Sequence, residues 1–441
     1  MNIAETAENV VQLLWEEADA LGRSSGFIQR QRKFSGSSYA QMLVLGALGE
    51  PELSFTHMTQ YAALAGVHIS GQGIAARFTA EGARFMAAVL ACAVNRVAES
   101  QLSVAVPILG QFAGVYIRDS SVIGLPPSLG AIWPGVGNAA GAGAALKLQV
   151  RLNYSSGALD GPTLQPGRAH DRQSPYQLET EPAGSLSLAD LGYFSLDETQ
   201  SRIEKGQYVL LRYKQGTALY TEEGTRLDLA QWLRQLEQPR AELQVWVGQQ
   251  HRLALRLLVE RVPLEAAQQR RHRLREYERK KQTTAQTETR VLTEWTVILT
   301  NVPAIMLSFD AALVLLRVRW QVELLFKLWK SQLRADEWRS VNDWRILCEL
   351  YAKLIVAVIT QWIFQIQLWR QPNRSLFKAA QAVQKFAVSL ALALRQHSVT
   401  LVQLTLQAIS DCACCTAHIS KRHQPPTFLA LLACSPDEAL S

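Results

Sequence analysis

The sequence predicts a mixed α/β chain with helical regions at both ends, and three observations carry that expectation. Apolar residues recur at three- and four-residue spacing through the first hundred positions, as in Val10, Val11, Leu13 and Leu14 and again from Phe85 to Val97. Near Leu102 the period shifts to strand-like alternation, and a second β-rich block follows Asp190. Helical spacing returns at about Ala311 and holds to the end. A chain of 441 residues has room for roughly two to four domains, and its 48% hydrophobic content is enough to bury a core, which excludes a disordered tail-like protein.

Lys and Arg number 45 against 38 Asp and Glu, a formal charge of +7 that suits a polyanionic partner. Six cysteines cannot staple a chain of 441 residues. Met1 to Gly22 carries Glu5, Glu8, Glu16 and Glu17 where a signal peptide needs a basic and then an apolar stretch, so a cytoplasmic protein is expected. Glu349, Lys353, Gln361 and Gln365 interrupt the apolar region from Ile346 to Ile366, and no transmembrane helix is expected.

Taken in order, Thr59 to Val67 followed by Ile69 to Ile74 has the layout of a helix, a glycine turn and a Ser-initiated second helix. Both a helix-turn-helix and an ordinary helical hairpin fit it. Arg77 and the upstream Arg30, Arg32 and Lys33 add positive charge. Val104, Val106 and Ile108, then Val115 to Asp119, then Leu146 to Leu152 are expected as strands of one sheet. The glycine-rich Gly135 to Gly143 lacks both the dinucleotide fingerprint and a following Gly-Lys-Ser/Thr, so it is read as a loop, and Asp160 to Ser185 as a long connector. Strands are expected at Tyr208 to Tyr213, Leu243 to Val247, Leu253 to Val262 and Trp295 to Thr300. Between the last two lies Arg270 to Lys281, seven Lys/Arg against two Glu, which suits either a solvated helix face or nucleic-acid contact. A long helix is expected from about Ala311 to Lys330.

That helix carries the sharpest local pattern. At about 100° per residue, Arg319 lies roughly 40° from Glu323 and Lys330 roughly 20° from it, so one stripe presents a carboxylate between two cations. An isolated pair of this kind is an ordinary surface salt bridge. Asp119 ends an apolar strand and Asp190 follows another apolar run, Leu186 to Ala189; such carboxylates are costly to desolvate unless paired or bound to a cation. Asp119, Asp190 and Glu323 together suit a pair of Mg²⁺ ions about 3.5–4 Å apart and in-line phosphoryl transfer, with Arg319 and Lys330 on the flanking phosphates.

These residues resemble the insertion-sequence type-four family of bacterial DDE transposases, whose helix signature is Tyr-x2-Arg-x3-Glu-x6-Lys. Arg319, Glu323 and Lys330 match the spacing, while Leu316 stands at the tyrosine position. Asp119 after a strand, Asp190 in Asp-Leu-Gly-Tyr-Phe, and Leu-Thr-Asn-Val-Pro at Leu299 to Pro303 match too, and the similarity runs from about Phe34 to Leu368. The resemblance implies an α/β RNase H-like catalytic core interrupted by a mostly β insertion domain, with helical N- and C-terminal regions. Its expected parts are a helical DNA-binding region (1–101), the first part of the core (102–200), the insertion (201–294), the second part of the core (295–369) and a helical C-terminal region suited to oligomerisation (370–441). It implies catalytic and metal-ligating roles for Asp119, Asp190 and Glu323 with two Mg²⁺ ions, Mn²⁺ being able to substitute. It further implies double-stranded DNA partners, the terminal inverted repeats and the target, and a homodimer in the synaptic complex. DNA contacts are expected from Arg319, Lys330, Arg270, Arg271, Arg273, Lys280, Lys281, Arg30 and Arg32. Trp295 stands where relatives stack a tryptophan on a flipped base, although a strand tryptophan also suits a core.

The implied activity is cutting transposon ends and joining them to target DNA. The alternatives are an RNase H-like nuclease without strand transfer and a catalytically inactive DNA-binding derivative, which the loss of the tyrosine at Leu316 keeps open. Cys412, Cys414, Cys415 and His418, with His423 beyond, fit no zinc module and are expected as buried helical thiols, as are Cys92, Cys348 and Cys434. Asp160 is expected in a turn and Asp310 as a helix cap.

Overall fold

A computed structural model describes residues 2–30, 33–96, 106–137, 143–177, 179, 181–371, 373–419 and 427–434. The chain is mixed α/β, with ten strands among the described residues. They are β1 Val115–Leu125, β2 Ala144–Asn153, β3 Leu159–Pro166, β4 Leu186–Ala189, β5 Tyr208–Arg212, β6 Leu219–Tyr220, β7 Arg226–Leu227, β8 Arg240–Val247, β9 Leu253–Arg261 and β10 Trp295–Thr300. Two compact units are interleaved in sequence. The first comprises Met1–Val106, Asp119–Ala169 and Trp320–Leu429; the second comprises Pro107–Arg118, His170–Arg319 and Ala430–Ser441.

The first unit is mainly helical. Its opening helix, Ile3–Gln12, starts with a reciprocal cap in which Glu5 N–H donates to Asn2 Oδ1 and Asn2 N–H to Glu5 Oε2, each at 2.9 Å. The Gly36–Gly49 helix is buried over nearly its whole length, and its N-terminal Ser37 N–H docks on Asp19 Oδ1 at 2.6 Å. Glycine is required at 36, because a Cβ there would lie 2.0 Å from the Ala18 carbonyl oxygen. Around Tyr39 the rings of Phe27, Phe34, Phe78 and Phe85 close an aromatic core.

The central helix, Asp343–Ile366, packs against the Gly36–Gly49 and Ala80–Asn95 helices. It is long and apolar enough to cross a membrane, but its apolar window is wholly buried in this unit. The polar residues that interrupt its apolar run find partners inside. Arg345 Nε meets Glu349 Oε1 at 2.6 Å, Lys353 Nζ donates to the Arg334 and Glu337 carbonyls at 2.9 and 2.7 Å, and Gln361 Nε2 donates to the Gly157 carbonyl at 2.7 Å. The Val399–Thr416 helix meets the same length and composition with only 28% of its window buried, and it packs on the Ile3–Gln12 and Leu376–Lys385 helices. Of the cysteines expected to be buried, only Cys348 is; Cys92 and Cys434 are partly exposed, as are Cys412 and Cys414, with Cys415 exposed, because the Val399–Thr416 helix buries one stripe and its three thiols lie off it. His423 lies outside the described residues.

Strands of the first unit run in the order β3, β2, β1. β3 corrects the expected Asp160 connector: it pairs antiparallel with β2, Leu146 with Pro166 and Leu152 with Leu159. Its prolines suit an edge position, where no ladder hydrogen bond is lost. Asp160 sits in this strand rather than in a turn and meets Arg151 Nε at 2.7 Å.

Strands of the second unit run β1, β4, β5, β10, β9, β8, β6, β7. The first three are parallel, with Val115 to Arg118 opposite Leu186 to Ala189 and Leu186 opposite Tyr208, and the Leu196–Glu204 helix joins β4 to β5. From β10 onward the pairing is antiparallel, and β8 with β9 forms a long hairpin. One face buries Leu233, Val245, Leu255, Leu257, Val259 and Leu299. Two further expectations are corrected here. Pro107–Gln111, expected as strand around Ile108, is a 3₁₀ turn, consistent with a proline that lacks an N–H; Leu102 and Val104 lie outside the described residues. The expected long helix is two segments, Phe309–Val318 and Trp320–Ser331, broken at Arg319. Asp310 lies in the first turn of the former, whose cap is Ser308, and pairs with Arg240 at 2.8 Å.

Candidate active site

In β1, alternation sends Arg118 and Asp119 to opposite faces. Asp119 is only 9% exposed, and its Oδ1 accepts the Ser120 N–H at 2.8 Å. Asp190 follows β4 at the head of the 3₁₀ turn Leu191–Tyr193, its side chain about half exposed. The parallel register pairs Arg118 with Ala189, the residues that immediately precede the two aspartates. Arg319 Nη2 lies 3.8 Å from Asp190 Oδ1, so the second unit holds a buried cation beside this carboxylate. Gly192 leaves room at the same turn for Asp171, whose Oδ2 lies 2.6 Å from where a Cβ would stand.

Glu323 occupies the first turn of the Trp320–Ser331 helix and is half-buried. Two turns on, Lys330 Nζ donates to the Val122 carbonyl of β1 at 3.1 Å, which ties this helix to the strand that carries Asp119 within the first unit. Leu316, at the position of the family tyrosine, is buried in the second unit.

The remaining site candidates divide by exposure. Trp295 is 3% exposed in the core of the second unit, with the Arg261 guanidinium 4.7 Å from its ring, so the structure places it as a core residue rather than an open stacking platform. A β10 tryptophan on the inward face of an antiparallel ladder has no other place to go. On the basic Leu264–Lys281 helix, Arg270 is half-buried and donates to the Trp295 carbonyl at 2.8 Å, and Arg271 pairs with Glu294 at 2.7 Å. Burial, with repulsion from Arg212, pulls the Arg270 guanidinium below its ordinary pKa. Those two cations fasten the helix, whereas Arg273, Lys280 and Lys281 are exposed along with Arg275, Arg279 and Tyr277. Arg30 is exposed, and Arg32 lies outside the described residues. The helix that opens at Ser70 spans only Gly71–Ala75, about 7 Å at 1.5 Å per residue, which favours the hairpin over a recognition helix.

Among the described residues no three His, Cys, Asp or Glu side chains are gathered as an ion site. The donor types nevertheless suit one class of ion: carboxylate oxygens are hard ligands that take Mg²⁺ or Mn²⁺ in preference to soft metals. Sequence inspection missed the charged group behind β1, formed by Arg118, Glu181, Glu198 and Arg202. Its only signal in the sequence was an arginine in an otherwise apolar strand.

A family model described as the transposase DDE domain matches residues 110–359, which include both aspartates and Glu323. The chain is 28% identical over 363 residues to the transposase for insertion sequence element IS231F of Bacillus thuringiensis subsp. israelensis, an alignment covering 77% of this chain and 75% of that protein. It is 24% identical to the IS231B transposase of Bacillus thuringiensis subsp. berliner over 88% of this chain and 86% of the relative. To the IS1151 transposase of Clostridium perfringens it is 22% identical over 79% and 77%. The chain belongs to the DDE transposase family. It is an enzyme of DNA transposition, a protein of mobile insertion elements whose family uses divalent metal.

Proposed function

We propose that Asp119, Asp190 and Glu323 are the catalytic carboxylates, that they hold two Mg²⁺ ions with Mn²⁺ able to substitute, and that the enzyme cuts its element's terminal inverted repeats and joins them to target DNA. The observation that carries this assignment is the parallel register in which Arg118 and Ala189 are paired, so that the residue before Asp119, which lies within β1 rather than at the expected strand end, is the partner of the residue before Asp190 at the end of β4. The metal, when bound, supplies Lewis-acid stabilisation of the attacking and leaving oxygens. The chain's own residues then have distinct tasks. The three carboxylates supply hard oxygen ligands. Arg319, held 3.8 Å from Asp190, would clamp a phosphate beside the scissile bond, as would Lys330. Arg273, Lys280 and Lys281 give an exposed cationic face for phosphate backbone.

The spacing of Arg319, Glu323 and Lys330 supports the insertion-sequence type-four group, and resemblance to that group implies an RNase H-like core and a homodimer at synapsis. The parallel β1, β4 and β5 support such a core, although β5 falls within 201–294, the stretch expected as the insertion. The test is cleavage of terminal-repeat DNA in Mg²⁺ by the full chain. Asp119→Asn, Asp190→Asn and Glu323→Gln should each abolish cutting while repeat binding persists; undiminished cutting by any of them would sink that residue's assignment. Cutting without joined target products would indicate a nuclease, and binding without cutting an inactive derivative.

A further inference from the structure

We infer that Arg118 is a positioning residue for the metal-ligating aspartates, holding β1 in register with the end of β4 from the opposite face of the sheet. This rests on the assignment of Asp119 and Asp190 above. Arg118 is 2% exposed and reaches several parts of the second unit at once. Its Nη2 donates to Ser187 Oγ of β4 at 3.0 Å, and its Nη1 donates to Glu198 on the Leu196–Glu204 helix and to Gln177. Gln177 Nε2 in turn donates to the Tyr193 carbonyl at 3.2 Å, and the Arg118 guanidinium lies 5.9 Å from the Tyr193 ring centroid. Tyr193 closes the turn that begins at Asp190. The residue that precedes one aspartate is therefore bonded to the strand that precedes the other and, through Gln177, linked to that aspartate's turn.

The remaining charges make that burial tolerable. Glu198 also accepts Arg202 Nε at 2.7 Å, and Arg202 Nη1 reaches Glu181 Oε2 at 2.7 Å, so two cations alternate with two anions. An apolar residue would pack the strand without the desolvation that burying each ion costs. What the guanidinium adds is direction: its fork fixes how far β1 slides along β4 and how the Leu191–Tyr193 turn leaves the strand. A shift of about 1 Å in a reacting group costs on the order of 10²-fold in rate. Loss of a residue that orients metal ligands typically costs about 10–100-fold in metal affinity or activity.

The test uses Arg118→Met, which keeps bulk and removes the fork, and Gln177→Leu, which cuts the Arg118–Gln177–Tyr193 relay while leaving Arg118 paired with Glu198. Three quantities are read on the full chain: Mn²⁺ affinity from the electron paramagnetic resonance signal of free Mn²⁺, kcat for repeat cleavage, and KM for the repeat DNA. For Arg118→Met the expectation is about tenfold weaker Mn²⁺ binding and a roughly 10–100-fold lower kcat with KM unchanged. Gln177→Leu should move both in the same direction by less, and it carries the test if Arg118→Met does not fold. A merely structural arginine would lower the active fraction without moving the Mn²⁺ midpoint. Mn²⁺ midpoints and kcat within twofold of wild type in a folded variant would overturn the inference while Asp190→Asn still abolished both. If Asp190→Asn left Mn²⁺ binding and cutting intact, the carboxylate assignment and this inference would fall together.

Discussion

Lys353, at the centre of the Asp343–Ile366 helix, makes the stability of the first unit depend on pH in a direction opposite to that of a salt-bridged surface lysine. It is 2% exposed, and burial pulls its ammonium from the ordinary 10.5 down to about 8 despite Glu349 and Glu337 nearby. At about 1.4 kcal/mol per factor of ten, the protonated form is disfavoured in the fold by about 3 kcal/mol. The unfolded chain keeps its proton up to the higher pKa, so between about pH 8 and 10.5 the unfolded state binds more protons and stability rises with pH. From pH 7 to pH 9 the gain is about 1.3 kcal/mol, close to tenfold in the opening equilibrium. Cys348, whose thiol burial pushes up from 9.0 to about 12, works against the gain from about pH 8 upward, where an unfolded thiol begins to lose its proton, and removes about 0.4 kcal/mol of it by pH 9. Amide hydrogen exchange of the helix, corrected for the intrinsic rate, reads this directly. Wild-type protection should rise about fivefold between pH 7 and 9 once Cys348 is counted, and Lys353→Met should show no such rise. Equal changes in the two proteins, or a wild-type loss of protection with rising pH, would refute the reasoning.

Removing Glu181, which is fully buried against Arg202, should destabilise the second unit by about 3–5 kcal/mol in Glu181→Ala, seen as a lower thermal midpoint. On the basic helix, Arg273→Ala/Lys280→Ala/Lys281→Ala should weaken DNA binding and flatten the plot of log affinity against log salt by up to about 0.9 for each phosphate left without its cation. Arg270→Ala should instead lower thermal stability, because that guanidinium is bonded to the Trp295 carbonyl. Gly157→Ala should cost about 2 kcal/mol or more in thermal unfolding, since its φ is +76° and the added Cβ would meet the Trp369 indole at 2.5 Å.

Local patterns were legible where one chemical rule dominates. The helical first hundred residues, the strands at Val115, Leu146, Leu243, Leu253 and Trp295, and the helix bearing the basic run all follow their periodicity, apart from residues 97–105, which lie outside the described structure. β3 was not legible, because its Gly161, Pro162 and Pro166 signal a loop in isolation and only an edge position tolerates them. Exposure within the basic run was equally hidden: Arg270 and Arg273 are alike in sequence, and the half-burial of one depends on β10 lying beneath it.

By itself the sequence determined the residue types and spacings of the proposed site. Asp119, Asp190, Glu323, Arg319 and Lys330, and the charge excess that suits a polyanion, are properties of the chain, as is the alternation that makes β1 and β4 strands. Only the tertiary structure decided what each charge faces. It set the parallel register that puts Arg118 opposite Ala189, buried Trp295, broke the long helix at Arg319, and enclosed Lys353 with two carbonyls. The physical reason is that local spacing specifies a direction for each side chain, whereas desolvation and pairing depend on partners that lie tens or hundreds of residues away in the chain.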